Sequence, residues 1–409
     1  MVRIMRLPRG LHTGVAVTLS EDDAVAAAAL YGEVPELIAT APSWADTDAL
    51  ANYRGPACVS LFLPTTPVST KSDESRLQFK NLAREALNAM PALGVTSRTI
   101  AHIEAELAGL VGDARFWANQ RQGLAIFASD GTLEARLLNY EPSLSMNVSD
   151  RFVITPLVAD LTTGGDALVL ALSQNVARLL TVAHDGSVAA LEIDGMPADV
   201  IEAAGQRSDV DRSMTALDGR EGQKVRMGIY AHAVDAAIGH HLAGSNGATP
   251  LILAAAQPLD GLFRAESHYP HLHPTAIAGS PDNISDAELG RRARAILLDD
   301  HRAHLERLQE EYHANAARRL ASNDIDTVAR AATAGAVRIL LVNSHVRIAG
   351  TIDDQDGAIT WSPECNVDCY DVVDEIVRRT HLNGGEIFVG EPDDVPDQAP
   401  VAAMFRYEI

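Results

Sequence analysis

Short apolar runs alternate with longer amphipathic stretches along the whole chain, and this alternation constrains the fold more than any other feature. The run from Cys58 to Leu63 is β-branched and aromatic and is followed by Pro64, which is typical of a buried strand. Residues 74–90 then repeat apolar positions at helical spacing, with Leu77 and Leu82 expected on the buried face. The same succession recurs further along the chain, so the sequence predicts an α/β protein.

The composition is that of a globular protein with a packed core. Of the 409 residues, 47% are hydrophobic and 22% are charged, which argues against a disordered chain or a coiled-coil rod. Three cysteines are too few for a disulfide framework. No run approaches the roughly 18 apolar residues that would span a bilayer, and the first ten residues lack the apolar stretch of a signal peptide. We therefore expect a cytoplasmic protein with no membrane contact.

The charge restricts how the chain can meet nucleic acid. There are 33 Lys and Arg against 55 Asp and Glu, a formal net charge of −22, which repels phosphate backbones as a whole. Any RNA contact is therefore expected at a local cationic surface. Two such surfaces are candidates. The first is a helical stripe of residues spaced four apart, Arg76, Lys80 and Arg84, for which the alternative is a solvated helix face. The second is the end of a polar segment, with Arg220, Lys224 and Arg226, for which the alternative is a solvated loop that runs into a helix.

The pattern predicts three α/β domains in series, over residues 1–150, 151–284 and 285–409. The middle domain opens with three strands in a β-meander, followed by a polar stretch at 194–223 that is predicted to be a long loop. The last domain begins with a helix predicted over 285–319, where Ser285 and Glu288 have the spacing of a capping box. This helix is expected to join the middle and last domains.

Metal and cofactor motifs are not favoured. Cys365 and Cys369 have no second cysteine pair, and the cluster of His268, His271 and His273 contains no carboxylate. The fingerprints G-x-G-x-x-G before a helix, G-x-x-x-x-G-K-[ST], G-x-S-x-G and H-E-x-x-H are all absent. We therefore expect no metal and no cofactor, and the nucleotide hydrolase, serine hydrolase and zincin classes lose their usual support.

Several stretches, taken in order, resemble the bacterial archaeo-eukaryotic release factor family, relatives of the class I release factor and of Pelota. They are CVSLFLPTTP, RLQFKNLAREAL, FWANQRQGLAIF, LFRAESHYPHLHPTAIAGSPDNISDAELGRRA, ARAATAGAVRILLV, GGEIFV and PVAAMFRY. The resemblance implies an N-terminal α/β domain, an RNase H-like middle domain and a C-terminal α/β domain like those that contact translational GTPases. It also implies a role on the ribosome in rescue, recycling or hibernation, with ribosomal RNA, tRNA and a GTPase as partners.

Release factors proper carry a Gly-Gly-Gln loop that helps water attack the ester of peptidyl-tRNA, and the resemblance implies a counterpart in this chain. The counterpart here is GREGQ, in which Gln223 and Gly222 match and Glu221 stands in place of the first glycine; Gly205-Gln206 is a weaker counterpart. Glycine serves where the backbone must adopt conformations closed to other residues, and a carboxylate would be carried toward RNA phosphates. This departure predicts that peptidyl-tRNA hydrolysis is not intact.

Two other functions stay open at the level of sequence. Asp160, Asp166 and Asp194 border the meander strands and are candidate ligands for a metal-dependent nuclease of the RNase H type. Alternatively, the chain is a non-catalytic interaction protein that dimerises through the helix at 285–319, whose mixed charges suit a solvated face or a partner helix equally. The oligomeric state is not determined by the sequence.

Overall fold

The computed structural model describes residues 37–66, 72–163, 165–183, 186–205, 220–242, 249–362 and 369–408. In these residues the strands are β1 (Cys58–Pro64), β2 (Gly123–Ser129), β3 (Thr132–Leu138), β4 (Ser145–Ser149), β5 (Ala167–Leu172), β6 (Ala177–Val182), β7 (Val188–Leu191), β8 (Leu251–Ala255), β9 (Ile277–Ala278), β10 (Ala321–Ser322), β11 (Val337–Asn343), β12 (Ala349–Ile352), β13 (Ile359–Trp361), β14 (Tyr370–Asp371), β15 (Glu386–Gly390) and β16 (Val401–Phe405). The α-helices are α1 (Trp44–Asn52), α2 (Ser72–Ala89), α3 (Ser97–Gly112), α4 (Ala114–Ala118), α5 (Thr155–Thr162), α6 (Val200–Gly205), α7 (Arg220–Leu242), α8 (Leu259–Glu266), α9 (Asp286–Ala316), α10 (Ile325–Thr333) and α11 (Val372–Leu382). The α/β class predicted from the sequence is confirmed.

The chain divides into two compact units. The first unit comprises the described residues up to Leu157 together with His345–Leu382, and the second comprises Val158–Ser344 together with the residues from Asn383 onward. The segment His345–Leu382 thus groups with the N-terminal residues, although it lies inside the third domain expected from the sequence. The domain boundaries at 150 and 284 and the RNase H-like arrangement stay predictions.

The first unit is built on an antiparallel sheet with the strand order β3-β2-β1-β4. Strand β1 lies inside the sheet and is buried over Cys58–Leu63, as expected of a short apolar run. Helices α2 and α3 cover one face of the sheet, where Phe79 packs on Trp117 with 5.3 Å between ring centroids. These aromatic and aliphatic side chains form one contiguous core.

The buried stripe of α2 differs from the expected one. Leu77 is 58% exposed, whereas Phe79, Leu82 and Ala86 are buried. The stripe therefore begins at Phe79 and continues three, four and seven residues later, which is the ordinary helical period. The prediction that Leu77 is buried is wrong because the helix turns its larger aromatic residue toward the sheet.

The segment His345–Leu382 of the first unit contains a small sheet with the order β13-β12-β14 and helix α11. Asp374 in α11 is buried and accepts hydrogen bonds from the backbone N–H of Ile154 (2.9 Å), the backbone N–H of Thr155 (2.7 Å) and the Thr155 hydroxyl (2.6 Å). Burial raises the pKa of Asp374, and these three donors oppose the rise. A buried carboxylate is retained here because the donors satisfy it.

The second unit contains a five-stranded sheet with the order β7-β6-β5-β8-β9. Strands β5, β6 and β7 form the predicted antiparallel meander, and β8 and β9 continue from β5 as parallel strands. Alternate residues of β5 face opposite sides, so that Leu170 packs under α7 and α8 while Val169 packs under α9. Helices on both faces explain why β5 reads as an uninterrupted apolar run.

Helix α9 serves two cores within the second unit. Its N-terminal half places Leu289, Ala293 and Leu297 against the five-stranded sheet, and its C-terminal half places Leu308 and Tyr312 against a sheet with the order β10-β16-β11-β15. The Ser285 side chain accepts from the Glu288 N–H, as the capping signature predicts. The apolar stripe of the helix is therefore covered inside this unit, and no partner helix is needed to bury it.

The stretch 194–223 is not a single loop. Helix α6 begins where Asp199 accepts a hydrogen bond from the N–H of Glu202 (2.8 Å), and α7 begins at Arg220. Polar residues there satisfy the first turn of a helix, which composition alone does not distinguish from a loop. Residues 206–219, including Gln206, lie outside the described residues.

Among the helices of the described ranges, none is both long and apolar enough to cross a membrane.

Candidate functional site

Three parallel strands of the second unit end side by side, and the residues that follow them form a polar pocket of about 280 Å³. Leu172 of β5 pairs with Ala255 of β8, which in turn pairs with Ala278 of β9. Because the carboxyl ends of parallel strands meet at one edge of a sheet, this edge is the usual place for a binding crevice in an open α/β sheet. The polar residues that line the pocket are Ser173, Gln174, Asn175, Gln257, Ser280 and Asp282.

Asp282 organises the pocket. Its carboxylate accepts hydrogen bonds from the hydroxyl of Ser173, the hydroxyl of Ser280 (2.9 Å) and the side-chain amide of Asn175 (3.4 Å). The hydrogen bond from Ser173 is the main cause that lowers the pKa of Asp282, with smaller contributions from Ser280, Asn175 and the charge of Arg178. The pocket therefore carries an ionised carboxylate at neutral pH.

Arg178 on β6 fixes the loop that carries Asp282. Its guanidinium donates to the carboxylate of Asp286 (2.6 Å) and to the carbonyl oxygens of Pro281 (3.2 Å) and Ile284 (2.9 Å). A planar guanidinium with several donors suits this bridging role better than an ammonium. The wall of the pocket that follows β9 is thus positioned by a side chain from a different strand.

Gln223 lies beside the pocket. Its side-chain amide donates a hydrogen bond of 3.2 Å to the side-chain oxygen of Gln174, and its side chain is exposed. Gly222, the preceding residue, is buried within α7. The structure therefore brings Gln223, predicted from the sequence, together with a pocket whose residues the sequence reasoning missed.

The cationic residues near Gln223 lie on the same helix. Lys224 and Arg226 in α7 are exposed, and Arg226 is one turn beyond Gln223, so the two share a helix face. Arg220 is the first residue of α7, and its side chain lies outside the described residues. This end of α7 therefore presents an amide and two cations next to the pocket.

The second cationic surface predicted from the sequence is on the other unit. Arg76, Lys80 and Arg84 follow one another along α2 at four-residue spacing, and all three are partly buried. Partly buried Lys and Arg side chains pack their apolar stems on the helix surface and leave the charged group at the edge. This stripe belongs to the first unit and Gln223 to the second, and its role in RNA binding stays a prediction.

Residues considered as metal ligands are scattered. Asp160 is buried in α5, whereas Asp166 and Asp194 are exposed. In the ranges that the structure describes, no three His, Cys, Asp or Glu residues are grouped so that they could hold a metal ion. This arrangement does not support the nuclease alternative.

Two histidines of the predicted cluster contact carboxylates on other elements. His268 lies 3.0 Å from the carboxylate of Asp235, and the buried His273 is hydrogen-bonded to Asp300. Cys58 is buried, and Cys369 is buried and disulfide-bonded. Cys365 lies outside the described residues.

Comparison with known families finds a match for the segment that contains the pocket. Residues 165–304 match the model of bacterial archaeo-eukaryotic release factor family 11. These matched residues are the family 11 segment. The match begins just before β5 and ends within α9, so the family 11 segment includes the strand ends, Gln223 and Asp282. The resemblance inferred from the sequence is confirmed.

Solved structures with similarity to the chain include Pelota and a termination factor. A model of ribosome-bound archaeal Pelota and ABCE1 has a TM-score of 0.39 and 14% identity, over 69% of this chain and 72% of that one. The archaeal translation termination factor aRF1 has a TM-score of 0.23 and 13% identity, over 90% and 99%. Archaeoglobus fulgidus Pelota has a TM-score of 0.30 and 11% identity, over 70% and 80%. No curated protein matches the chain.

Proposed function

We propose that this protein is a ribosome-associated factor that acts in rescue, recycling or hibernation and does not hydrolyse peptidyl-tRNA. The supporting observation is the position of Gln223, which is hydrogen-bonded to Gln174 at a polar pocket inside the family 11 segment. The RNA-contacting surface is the start of α7 together with this pocket. The proposed partners are ribosomal RNA, tRNA and, through the domain expected over residues 285–409, a translational GTPase.

The chemistry of this surface suits RNA in two different ways. Lys224 and Arg226 are exposed cations that can contact phosphates, which supply most of the affinity for nucleic acid. The ionised Asp282 repels phosphate, so the pocket itself would receive hydrogen-bond donors such as a 2′-hydroxyl or a base amino group. The phosphates are therefore expected along α7 and the donor groups at the pocket.

The proposal excludes hydrolysis because of where Gln223 lies. A glutamine that helps water attack an ester must be presented to the ester with its amide available. Here Gln223 belongs to a helix, and one N–H of its side-chain amide is bonded to Gln174. The residue before Gly222 is Glu221, whose charge is unfavourable near phosphates. Binding without ester cleavage is the outcome that these features support.

Co-sedimentation with ribosomes tests the binding. The purified protein and the double variant Lys224→Ala/Arg226→Ala are run on sucrose gradients with ribosomes at low and moderate salt. We expect the wild type to co-sediment with ribosomes at both salt concentrations. The variant should no longer co-sediment at moderate salt. The matched control is Arg291→Ala/Arg302→Ala, which removes the same charge from exposed positions of α9, where the side chains are 78% and 67% exposed. If the wild type binds ribosomes at neither salt concentration, the proposal is refuted.

A release assay tests the second half of the proposal. Ribosomes carrying a labelled peptidyl-tRNA are mixed with the protein, and free peptide is measured. We expect no release above background from the wild type and the same result from Gln223→Ala. Release by the wild type that disappears in Gln223→Ala would show that the protein is a hydrolase, while leaving ribosome binding intact.

A further inference from the structure

Two arginines of the first unit share one buried carboxylate. Nη1 of Arg151 and Nε of Arg378 both donate to Oε2 of Glu375, each over 2.7 Å. Glu375 is almost completely buried, whereas the side chains of Arg151 and Arg378 are each 15% exposed. The two guanidinium groups are therefore held close together and near the surface.

Arg54 lies beside this pair. The backbone N–H of Gly55 donates a hydrogen bond of 3.0 Å to the carbonyl oxygen of Asp150, which brings Arg54 next to Arg151. Burial, followed by the charges of Arg151 and Arg378, lowers the pKa of Arg54, and each neighbouring carboxylate has a smaller, opposing effect. Arg54 is thus a cation repelled by two other cations, in a protein whose net charge is −22.

The Nε–Nη2 edge of Arg54 differs from that of its neighbours. Arg151 presents this edge to the two carboxylate oxygens of Asp150 (2.8 and 2.9 Å), and Arg378 presents it to those of Glu375 (2.7 and 2.6 Å). Such bidentate pairs are the strong form of a guanidinium–anion contact. Among the described residues, no acceptor meets the same edge of Arg54, whose hydrogen bonds are made by Nη1 alone.

The guanidinium of Arg54 is nevertheless held in place. Its Nη1 donates to the carbonyl oxygens of Ala51 (3.0 Å) and Tyr53 (2.6 Å) at the end of α1, and Arg54 is an exposed residue. Within the described ranges, Nη1 of Arg378 also makes no hydrogen bond, because the contacts of Arg378 use Nε and Nη2. Three donors on two neighbouring arginines are therefore left for a ligand.

We propose that Arg54 and Arg378 bind a phosphate group. The Nε–Nη2 edge of Arg54 would hold two phosphate oxygens and Nη1 of Arg378 a third, which suits a tetrahedral anion. A carboxylate fits less well, since its two oxygens are already matched by the fork of Arg54 alone. A bound anion would also relieve the repulsion among the three guanidinium groups.

The phosphate belongs either to a small molecule with a terminal phosphate or to an RNA backbone, and the test separates the two sources. The full-length protein is added at low salt to inorganic phosphate, to uridine 5′-monophosphate and to a six-nucleotide RNA with hydroxyl ends, and binding is followed by ³¹P NMR. Tighter binding of the monophosphate than of the RNA would assign the site to a terminal phosphate. Tighter binding of the RNA would assign it to the backbone, provided that the same variants weaken it.

Two variants test whether the binding is at this place. Arg54→Gln removes the fork at an exposed position, so the affinity should fall about tenfold or more. Arg378→Lys keeps a charge beside Glu375 but removes Nη1, and it should also weaken binding. The matched control is Arg98→Gln, which removes an exposed arginine from α3 of the same unit and should change nothing.

Thermal unfolding confirms that each variant is folded before it is measured. Absence of binding by the wild type to all three probes would overturn the proposal. Equal affinities of the wild type and Arg54→Gln for the probe that binds would also overturn it. The site is in the first unit, and the measurement with inorganic phosphate does not depend on ribosome binding.

Discussion

Arg151 donates a hydrogen bond of 2.7 Å from Nη1 to Oε2 of Glu375, a residue 224 positions further along the chain. Glu375 is almost completely buried and also accepts from Arg378 (2.7 and 2.6 Å) and from Nε of Arg379 (2.7 Å). The Arg151 guanidinium lies 3.7 Å above the ring centroid of Tyr370. A buried carboxylate shared by three arginines thus ties α11 to the N-terminal residues of the first unit.

Replacement of this carboxylate should destabilise the first unit. Glu375→Gln leaves three guanidinium groups around a neutral side chain, and breaking a buried ion pair typically costs about 3–5 kcal/mol. Urea unfolding at pH 7 measures the loss. The control is Glu85→Gln at an exposed position of α2, which should change stability by less than about 0.5 kcal/mol. Equal stabilities of Glu375→Gln and the wild type would contradict the structure.

The same residue predicts how stability changes in acid. Burial raises the pKa of Glu375, but the hydrogen bonds of Arg378 and Arg379 and the charges of Arg151 and Arg378 outweigh it and lower the pKa to about 2. A depressed pKa contributes stability that is present above the ordinary value of 4.5 and lost as the pH falls toward 2. The difference in the free energy of unfolding between the wild type and Glu375→Gln should therefore become smaller from pH 5 to pH 2, as measured by urea unfolding.

Asp371 should show the opposite dependence. Burial, followed by the charge of Asp374, raises the pKa of Asp371 to about 6 from its ordinary value of 3.8. The folded state then holds a proton that the unfolded chain has released, so this residue costs stability as the pH rises from about 4 to 6. Relative to the wild type, the free energy of unfolding of Asp371→Asn should therefore rise by about 1–3 kcal/mol between pH 4 and pH 7. A difference in the free energy of unfolding that stays constant over this range would contradict the burial of the Asp371 carboxylate.

Two glycine replacements should have opposite signs. In Gly290→Ala the new Cβ would lie 2.3 Å from Cγ2 of Val188, so α9 must shift away from β7 at a cost of about 1–3 kcal/mol. In Gly239→Ala, at an exposed position of α7, no atom of the described residues lies within 4 Å of the new Cβ. That change should raise the free energy of unfolding by about 0.5–1 kcal/mol, because alanine has a higher helix propensity than glycine. Melting temperatures compare the two variants, and a stabilised Gly290→Ala would show that α9 is not packed on β7 as described.

The two cationic surfaces can be separated by the salt dependence of ribosome binding. If Lys224 and Arg226 each contact a phosphate, the slope of log affinity against log salt should become shallower by about 2 in their double alanine variant. Filter binding over a series of salt concentrations gives the slope. An unchanged slope would show that the start of α7 makes no phosphate contacts.

The stripe on α2 is tested in the same way with Arg76→Ala/Lys80→Ala. These two residues are chosen because Arg84 has a buried Nε and its replacement would disturb packing. A slope reduced by about 2 would add the first unit to the RNA-binding surface. A slope equal to that of the wild type would mean that this stripe is a partly buried helix face without RNA contact.

Local elements followed from the sequence, whereas their association did not. Strand β5 was predicted because it is apolar at every position, and α9 because its apolar stripe and its cap are local features. The place of α11 depends on Asp374 and Glu375, which look like surface residues in the sequence and are buried only because distant donors meet them. No local pattern encodes such a pairing.

The pocket had a partial signal in the sequence. Ser173 and Gln257 follow directly on apolar runs that end strands, which is the position of binding residues in parallel sheets. The missing information was the strand order, since only the pairing of β5 with β8 and of β8 with β9 brings the three strand ends together. The helical position of Gln223 was missed because the residues around it are polar and include two glycines, which favoured a loop.

Because α9 is one uninterrupted helix of 31 residues, about 46 Å long at 1.5 Å per residue, it makes the two sheets of the second unit energetically interdependent. Loss of either sheet would leave half of the apolar stripe in water and would remove the support that orders the other half. Amides in β5 and in β11 should therefore exchange with solvent through the same opening event, as one cooperative folding block rather than two.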